Sequence, residues 1–313
     1  MDTWQYVLDA AEITPEDRAL LAFSFGPFIG FWSAHDALLD RGTMVVPGGG
    51  LSTRSRLELL ERSQATVIFS TPTYVLYLAE VARQEGIDLR RSSIKTIVVA
   101  GEPGGSVPAI RARIEEAWNA KLIDHSGASE VGPWGYGDAT GKGLWVNEHS
   151  FLAETLQLDS NEPAAPGELA ELVLTTLGRV GCPLLRYRTG DLVRATRATD
   201  GPRRFLFLEG GVLGRADDML IIRGVNIFPS SIEQILRGFP EVEEYRMTAF
   251  RTDGLDHLRV EIEDSAGQPQ RIAKELEAQL SLRVEVILVE PQSLPRFEGK
   301  GRRFVDQRNV KSG

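Results

Sequence analysis

Arg186-Tyr187-Arg188-Thr189-Gly190-Asp191, followed by Gly214-Arg215-Ala216-Asp217-Asp218 and the run Met219-Leu220-Ile221-Ile222-Arg223-Gly224-Val225-Asn226-Ile227-Phe228-Pro229, decides how the chain is read. In the first string an acid stands just after a glycine, where a carboxylate can accept hydrogen bonds from both hydroxyls of a ribose. In the second, a charged junction opens a new folding unit. A solvated acidic pair such as Asp217-Asp218 costs little to rotate, which makes Asp217 a hinge candidate.

On the amino-terminal side of these strings, helical periodicity alternates with short apolar runs. Helices are expected over Trp4 to Ala11, Phe31 to Arg41, Ser55 to Ser63, Thr73 to Gln84 and Ala109 to Trp118. Strands are expected at Ala19 to Phe25, Thr43 to Val46, Thr66 to Phe69, Thr96 to Ala100 and Leu122 to Asp124. Such alternation predicts an α/β layer with a mostly parallel sheet. From Gly167 the pattern changes to strands and turns (Glu171 to Thr175, Phe205 to Leu208), predicting a more antiparallel β subdomain. Beyond Gly214 a compact α+β unit is expected. Its strands are Met219 to Arg223, Val242 to Arg251, His257 to Glu263 and Val284 to Val289, and its helices Ser230 to Arg237 and Gln270 to Leu280. Two domains follow, 1–214 and 215–313.

The composition agrees with a folded chain of this size. Of 313 residues 42% are hydrophobic and 25% charged, enough for a large domain and a smaller one. With 35 Lys and Arg against 44 Asp and Glu the formal charge is −9. It is spread along the chain, leaving no basic face for nucleic acid. One cysteine, Cys182, excludes an intramolecular disulfide and a cysteine-cluster metal site. The first residues lack the pattern of a signal peptide, and no apolar run of about 18 residues is present. A cytoplasmic protein with no membrane partner is expected.

Taken together, the strings at 186–191 and 214–229 resemble the adenylate-forming superfamily, and within it the phenylacetate-CoA ligase-like branch. Leu294-Pro295-Arg296-Phe297-Glu298-Gly299-Lys300 extends the match. The resemblance implies the fold of a truncated adenylate-forming core with a small carboxy-terminal α+β domain. It also implies an activity: ATP and an aromatic carboxylic acid give an acyl-adenylate, which a thiol such as CoA then attacks. ATP/AMP, Mg²⁺ and CoA are the implied cofactors and substrates.

It assigns roles residue by residue. Asp191 and Arg215 hold the ribose or phosphates, and Asp217 is the hinge. Ser126-Gly127-Ala128-Ser129-Glu130 matches a phosphate-facing loop, with Gly127 and Ser129 by the α-phosphate and Glu130 helping to hold Mg²⁺. Ser126 stands where the family has an adenine-stacking tyrosine. Gly101, Glu102 and Pro103 form the adenine-side loop. Lys300 is the catalytic lysine, while Arg223 and Gly224 lie on the CoA side. Phe25, Tyr74 and His149 are candidates for the acyl pocket.

Each has a structural alternative. Asp191 can cap a turn, Arg215 can form a surface ion pair, Gly101-Glu102-Pro103 can be a strand-to-helix turn, and Phe25 and Tyr74 can be core. Gly48-Gly49-Gly50 has no lysine at phosphate-loop spacing and reads as a flexible turn. The lysine-bearing Ser/Thr/Gly-rich loop that the family carries upstream of the matched region has no counterpart string. This keeps two other functions open. One is an ATP-independent acyltransferase or condensing enzyme fed with a pre-activated acyl group. The other is a non-catalytic partner of a separate amino-terminal subunit, and a homodimer is a further possibility.

Overall fold

The computed structural model describes residues 2–26, 29–158, 160–197, 204–216, 218–223, 225–252, 254–296 and 303–308. The chain divides into two compact units, residues 1–213 and 214–313.

The larger unit begins with helix α1 (Asp2–Ala10), strand β1 (Arg18–Leu21), α2 (Ile29–Asp40), β2 (Met44–Pro47), α3 (Thr53–Ser63), β3 (Val67–Ser70), α4 (Pro72–Gln84), β4 (Thr96–Val99), α5 (Pro108–Trp118) and β5 (Lys121–Ala128). The strands lie side by side in the order β2-β1-β3-β4-β5 and every pairing among them is parallel. The strand sequences are apolar at nearly every position because both faces are covered. Leu20, Ile68, Ile97 and Val99 pack with Leu57, Leu78, Ile114 and Trp118 from α3, α4 and α5. Their neighbours Ala19, Leu21, Val67, Phe69 and Val98 face the other way, onto Trp4, Val7, Leu8, Ala37 and Leu38 of α1 and α2.

Local chemistry fixes the helix ends. Ser52 caps α3 by accepting from the Ser55 amide (3.2 Å), and Thr71 caps α4 ahead of Pro72 at the first helical position. At the far end of α5, Asn119 takes the left-handed conformation (φ 50°) that closes a helix.

The sheet does not stop at β5. Its other edge pairs antiparallel with β6 (Gly132–Tyr136), and the order continues through β7 (Gly143–Val146), β11 (Leu206–Glu209), β10 (Tyr187–Arg197), β9 (Leu169–Thr176) and β8 (Phe151–Leu156). These strands close over Trp134, Val146, Phe151, Leu172, Leu174, Val193 and Leu208. Antiparallel structure therefore starts at Gly132, about three strands earlier than the change in sequence pattern at Gly167 predicts. Gly127, Gly132, Pro133, Gly135 and Gly143 mask the strand signal, because they lie within strands, several at close approaches or beside a bulge, rather than in loops.

The smaller unit holds β12 (Gly214–Arg215), the hairpin β13 (Leu220–Ile222) and β14 (Val225–Ile227), α6 (Pro229–Arg237), β15 (Val242–Thr252), β16 (Leu255–Asp264), α7 (Pro269–Leu280), β17 (Glu285–Leu288) and β18 (Phe304–Asp306). Its four-stranded sheet runs β17-β16-β15-β18. Ile232, Leu236, Ile272 and Leu276 of the two helices pack on Met247, Ala249, Val260 and Ile262. On the paired strands β15 and β16 the buried carboxylates of Glu244 and Glu263 stand in register opposite each other, held by Arg303 and Arg296 respectively. Among the described residues no helix is long and apolar enough to cross a membrane.

At Gly143 the paired strand leaves no room for a side chain: a Cβ there would stand 2.0 Å from the Leu208 carbonyl oxygen. Gly143→Ala is expected to cost about 3 kcal/mol of stability, since backbone on both strands must move. Chemical denaturation of the variant at the parent's midpoint would contradict that close approach.

Candidate active site

Asp191 stands on β10, not in a loop. Arg188 pairs with Val173 and Leu192 with Glu171, so the single residue Leu172 opposes three, Thr189, Gly190 and Asp191. Such a bulge re-aims a side chain that regular alternation would fix. Gly190 supplies the left-handed backbone it needs (φ 74°). The buried Thr189 hydroxyl ties it down, donating to the Leu172 carbonyl (2.9 Å) and accepting from the Asp191 amide (3.0 Å). The six-residue string thus encodes a bulge with its own anchor, and Asp191 is left half-buried at its end.

Ser126 to Gly132 is likewise mostly strand. β5 runs on through Ala128, shifts register between Ser126 and Gly127, and turns back as β6. Gly127 is needed because a Cβ there would meet the Gly132 carbonyl oxygen and the Pro133 Cα at 3.1 Å. Ser129 and Glu130 occupy the exposed turn of this hairpin. From the loop joining β9 to β10, the Arg179 guanidinium donates to the Glu130 carbonyl oxygen. The loop leading into the Asp191 strand is thereby fastened to the turn bearing Ser129 and Glu130.

Gly101 (φ 96°) turns the chain out of β4, and the Glu102 carboxylate accepts from the Thr73 amide at the start of α4 (2.7 Å). Gly104 presses on that helix so closely that a Cβ would lie 2.5 Å from Pro72 Cβ. The loop then reaches Asp124 at the end of β5's parallel pairing. Ser106 donates its hydroxyl to Asp124 Oδ2 (2.5 Å), Gly105 of the same loop and Gly137 press closely on this residue, and Gly211 lies against Ser106 and Asp124. Two residues past Gly211, the Leu213 amide donates to the Leu192 carbonyl beside Asp191 (2.9 Å). The loop from Gly101 to Ser106, β5 and the segment bonded to the Asp191 strand therefore meet around a buried acid that belongs to none of the motifs. Its only sequence signal is a carboxylate closing an apolar run.

Burial pushes the Asp124 carboxyl up to about 6, against the opposing pull of Ser106, the His125 amide and Arg111. Next to it, burial pulls His125 down to about 4. His125 Nδ1 lies 2.8 Å from the Gly135 carbonyl oxygen, which can only accept, so Nδ1 carries the proton. The ring packs on Trp4 at 4.5 Å between centroids.

Of the three acyl-pocket candidates, Phe25 is half-buried and meets Trp32 (4.6 Å), Phe23 (5.6 Å) and His35 (5.7 Å) in an aromatic group. His149 is exposed and lies 6.2 Å from the Tyr6 ring. Tyr74 is fully buried in the core, its hydroxyl bonded to Arg56 Nη1 (2.5 Å) and Thr53 Oγ1 (3.1 Å). It joins α4, on which it stands, to α3. In the smaller unit Arg215 is exposed. Arg223 takes a left-handed conformation (φ 50°), with its guanidinium on the Asp256 carbonyl (3.0 Å) and His257 Nδ1 (2.7 Å). Asp217, Gly224 and Lys300 lie outside the described residues.

The fold is that of the adenylate-forming enzymes. The structure superposes with a TM-score of 0.90 on 2-hydroxyisobutyryl-CoA ligase in the postadenylation state in complex with 2-HIB-AMP, at 29% identity over 97% of this chain and 68% of that one. Residues 224–308 match the AMP-binding enzyme C-terminal domain. The phenylacetate-coenzyme A ligase of Escherichia coli (strain K12) is 33% identical across 99% of this chain and 74% of its own length. That of Thermus thermophilus is 33% identical across 96% of this chain and 74% of its own length. The chain belongs to the phenylacetate-coenzyme A ligase family.

Asp124 and His125 pull stability in opposite directions with pH. The folded state raises the Asp124 value from 3.8 to about 6, so its contribution falls as pH rises through that window. The folded state lowers His125 from 6.5 to about 4, so its contribution is full above 6.5 and is lost as pH falls towards 4. Asp124→Asn should therefore raise the neutral-pH stability by up to about 3 kcal/mol. It should also steepen the loss of Tm between pH 6.5 and 4.5. Melting curves for parent and variant that stay parallel over this range would contradict the assignment.

Proposed function

We propose that this protein is an AMP-forming acid–thiol ligase whose acid is aromatic and whose thiol is CoA. The observation that carries the reading is the anchored Thr189-Gly190-Asp191 bulge, in a chain of this family whose adenine-side loop converges on the same strands. In this reading Asp191 accepts hydrogen bonds from the ribose hydroxyls, helped by Arg215. The loop at Gly101, Glu102 and Pro103 flanks the adenine, with Glu102 held in place by the Thr73 amide. Gly127 and Ser129 face the α-phosphate. Phe25 and its aromatic neighbours suit an aryl acid, whereas Tyr74 lies in the core cluster on the other face of the parallel strands.

The chemistry follows in two transfers. A carboxylate oxygen bonds to the α-phosphorus as the bond to pyrophosphate breaks, with the Lys300 ammonium offsetting the charge that develops. After rotation about Asp217, the CoA sulfur bonds to the acyl carbon and AMP leaves, with Arg223 and Gly224 on the thiol side. Among the described residues no three His, Cys, Asp or Glu side chains cluster as a metal site. A divalent ion would thus take Glu130, phosphate oxygens and water, a hard-oxygen donor set that fits Mg²⁺.

Purified chain supplied with ATP, Mg²⁺, CoA and a panel of aryl acids is expected to release AMP and form a thioester. Absence of AMP, together with turnover of a supplied acyl-CoA, would replace this reading with an acyltransferase. Within the ligase reading, Asp191→Ala should raise the KM for ATP by about ten- to a hundred-fold, the worth of one or two charge-assisted hydrogen bonds. Lys300→Ala should abolish adenylation while leaving AMP binding, measured by calorimetry, largely intact.

A further inference from the structure

Arg56 of α3 is buried, with 1% of its surface exposed. A guanidinium inside a core is costly to desolvate, so an apolar residue would be the cheaper occupant. Here the planar fork reaches two ways. Nε donates to the Gly48 carbonyl (2.8 Å) and Nη1 to the Tyr74 hydroxyl (2.5 Å), while the charge lies 4.9 Å from the centre of the Tyr74 ring. The Tyr74 hydroxyl also meets Thr53 Oγ1 at the start of α3 (3.1 Å). Gly48 is thereby fastened to α3 and, through Tyr74, to α4.

At Gly48 the chain leaves β2 and crosses the carboxy end of β1. The Gly48 amide donates to the Leu21 carbonyl (2.9 Å), and a Cβ at this position would stand 2.9 Å from that oxygen and 3.4 Å from Leu20 Cδ1. One residue on, the loop meets the group on the opposite face. A Cβ at Gly49 would lie 3.3 Å from the Phe23 carbonyl oxygen and 3.4 Å from Phe25 Cδ2. The Gly50 amide then donates to Ser24 Oγ (3.4 Å). The string that reads as a flexible turn is therefore a strap over the end of β1. Arg56 holds it on the side of Leu20 and Tyr74, and it rests against Phe25 on the other.

We propose that Arg56, with Tyr74 behind it, is a positioning residue that holds the Gly48-Gly49-Gly50 loop against Phe25 and so sets the width of the site for the aryl acid. This rests on the ligase reading, in which Phe25 and its aromatic neighbours receive the acid. Arg56 and Tyr74 act through the loop, without touching substrate. A guanidinium is suited to the task because its rigid fork sets orientation as well as distance, which the point charge of a lysine does not.

The test uses the full chain. Arg56→Met keeps the stem and removes the fork, Arg56→Lys keeps the charge alone, and Tyr74→Phe keeps the ring and removes the hydroxyl. Arg54→Gln, an exposed arginine of the same helix paired with Glu58 and Glu85, is the control. Deuterium uptake at residues 48–50 should rise in Arg56→Met, rise less in Arg56→Lys and Tyr74→Phe, and match the parent in the control, whether or not the chain is a ligase. Unchanged uptake in Arg56→Met would overturn the strut. In assays with the aryl acid that the parent uses best, the KM for that acid should rise about tenfold in Arg56→Met, the order of one misfitting methylene in an apolar pocket. Its preference over an acid one ring larger should fall by a similar factor, with the KM for ATP kept. Equal rises in both KM values, or a collapsed Tm in Arg56→Met and Tyr74→Phe alike, would reduce these contacts to general structural support. A parent that activates no aryl acid would overturn the ligase reading and the pocket role with it, while the uptake measurement still decides the strut.

Discussion

The constraint on which the larger unit depends is that one strand, β5, pairs parallel along one edge and antiparallel along the other. Parallel strands need crossover helices and bury both faces, whereas antiparallel strands can be joined by tight turns. At β5 one regime ends and the other begins. Polar loops that follow the parallel strands are therefore brought next to a hairpin and to a bulged antiparallel strand. Asp124 sits at that change, against segments from Gly105, Gly137 and Gly211. At Gly105 a Cβ would stand 2.5 Å from the Asp124 carboxylate, so the loop can pass there only as glycine.

The sequence is most legible where pairing is regular. Helices α3 to α5 and the strands between them begin and end within a few residues of their apolar runs, because caps such as Ser52, Thr71 and Asn119 obey local chemistry. Legibility fails at Gly127 to Gly143. There glycine and proline, which usually mark loops, lie inside β6 and at the start of β7. The motif at 186–191 is readable as a site but not as a bulge. Two extra residues opposite Leu172 are a property of the partner strand, which the string itself does not contain. Asp124, Ser106 and His125 escape notice because single polar residues after apolar runs are common, and only the fold shows that Gly105 and Gly137 leave room for Asp124. The facing of Glu244 and Glu263 is a matter of register, invisible in either strand alone.

Both units place charge where it is expensive and then neutralise it in different ways. Asp124 has neutral and backbone donors around it and Arg111 at longer range, so burial dominates and its proton is held more tightly. Glu263 has a guanidinium and two amides directly on its oxygens, and it stays ionised. The difference lies in whether a fork-shaped cation can reach the carboxylate.

The facing glutamates also bear on how the smaller sheet finds its alignment. A slip of one residue between β15 and β16 would exchange the faces of every side chain, parting Glu244 from Arg303 or Glu263 from Arg296 and leaving a bare carboxylate in the interior. A slip of two residues would return apolar residues such as Val260 and Ile262 to the core face, but would still part the carboxylates from their arginines. The buried charges therefore give the hairpin a single low-energy alignment, a service to folding rather than to chemistry.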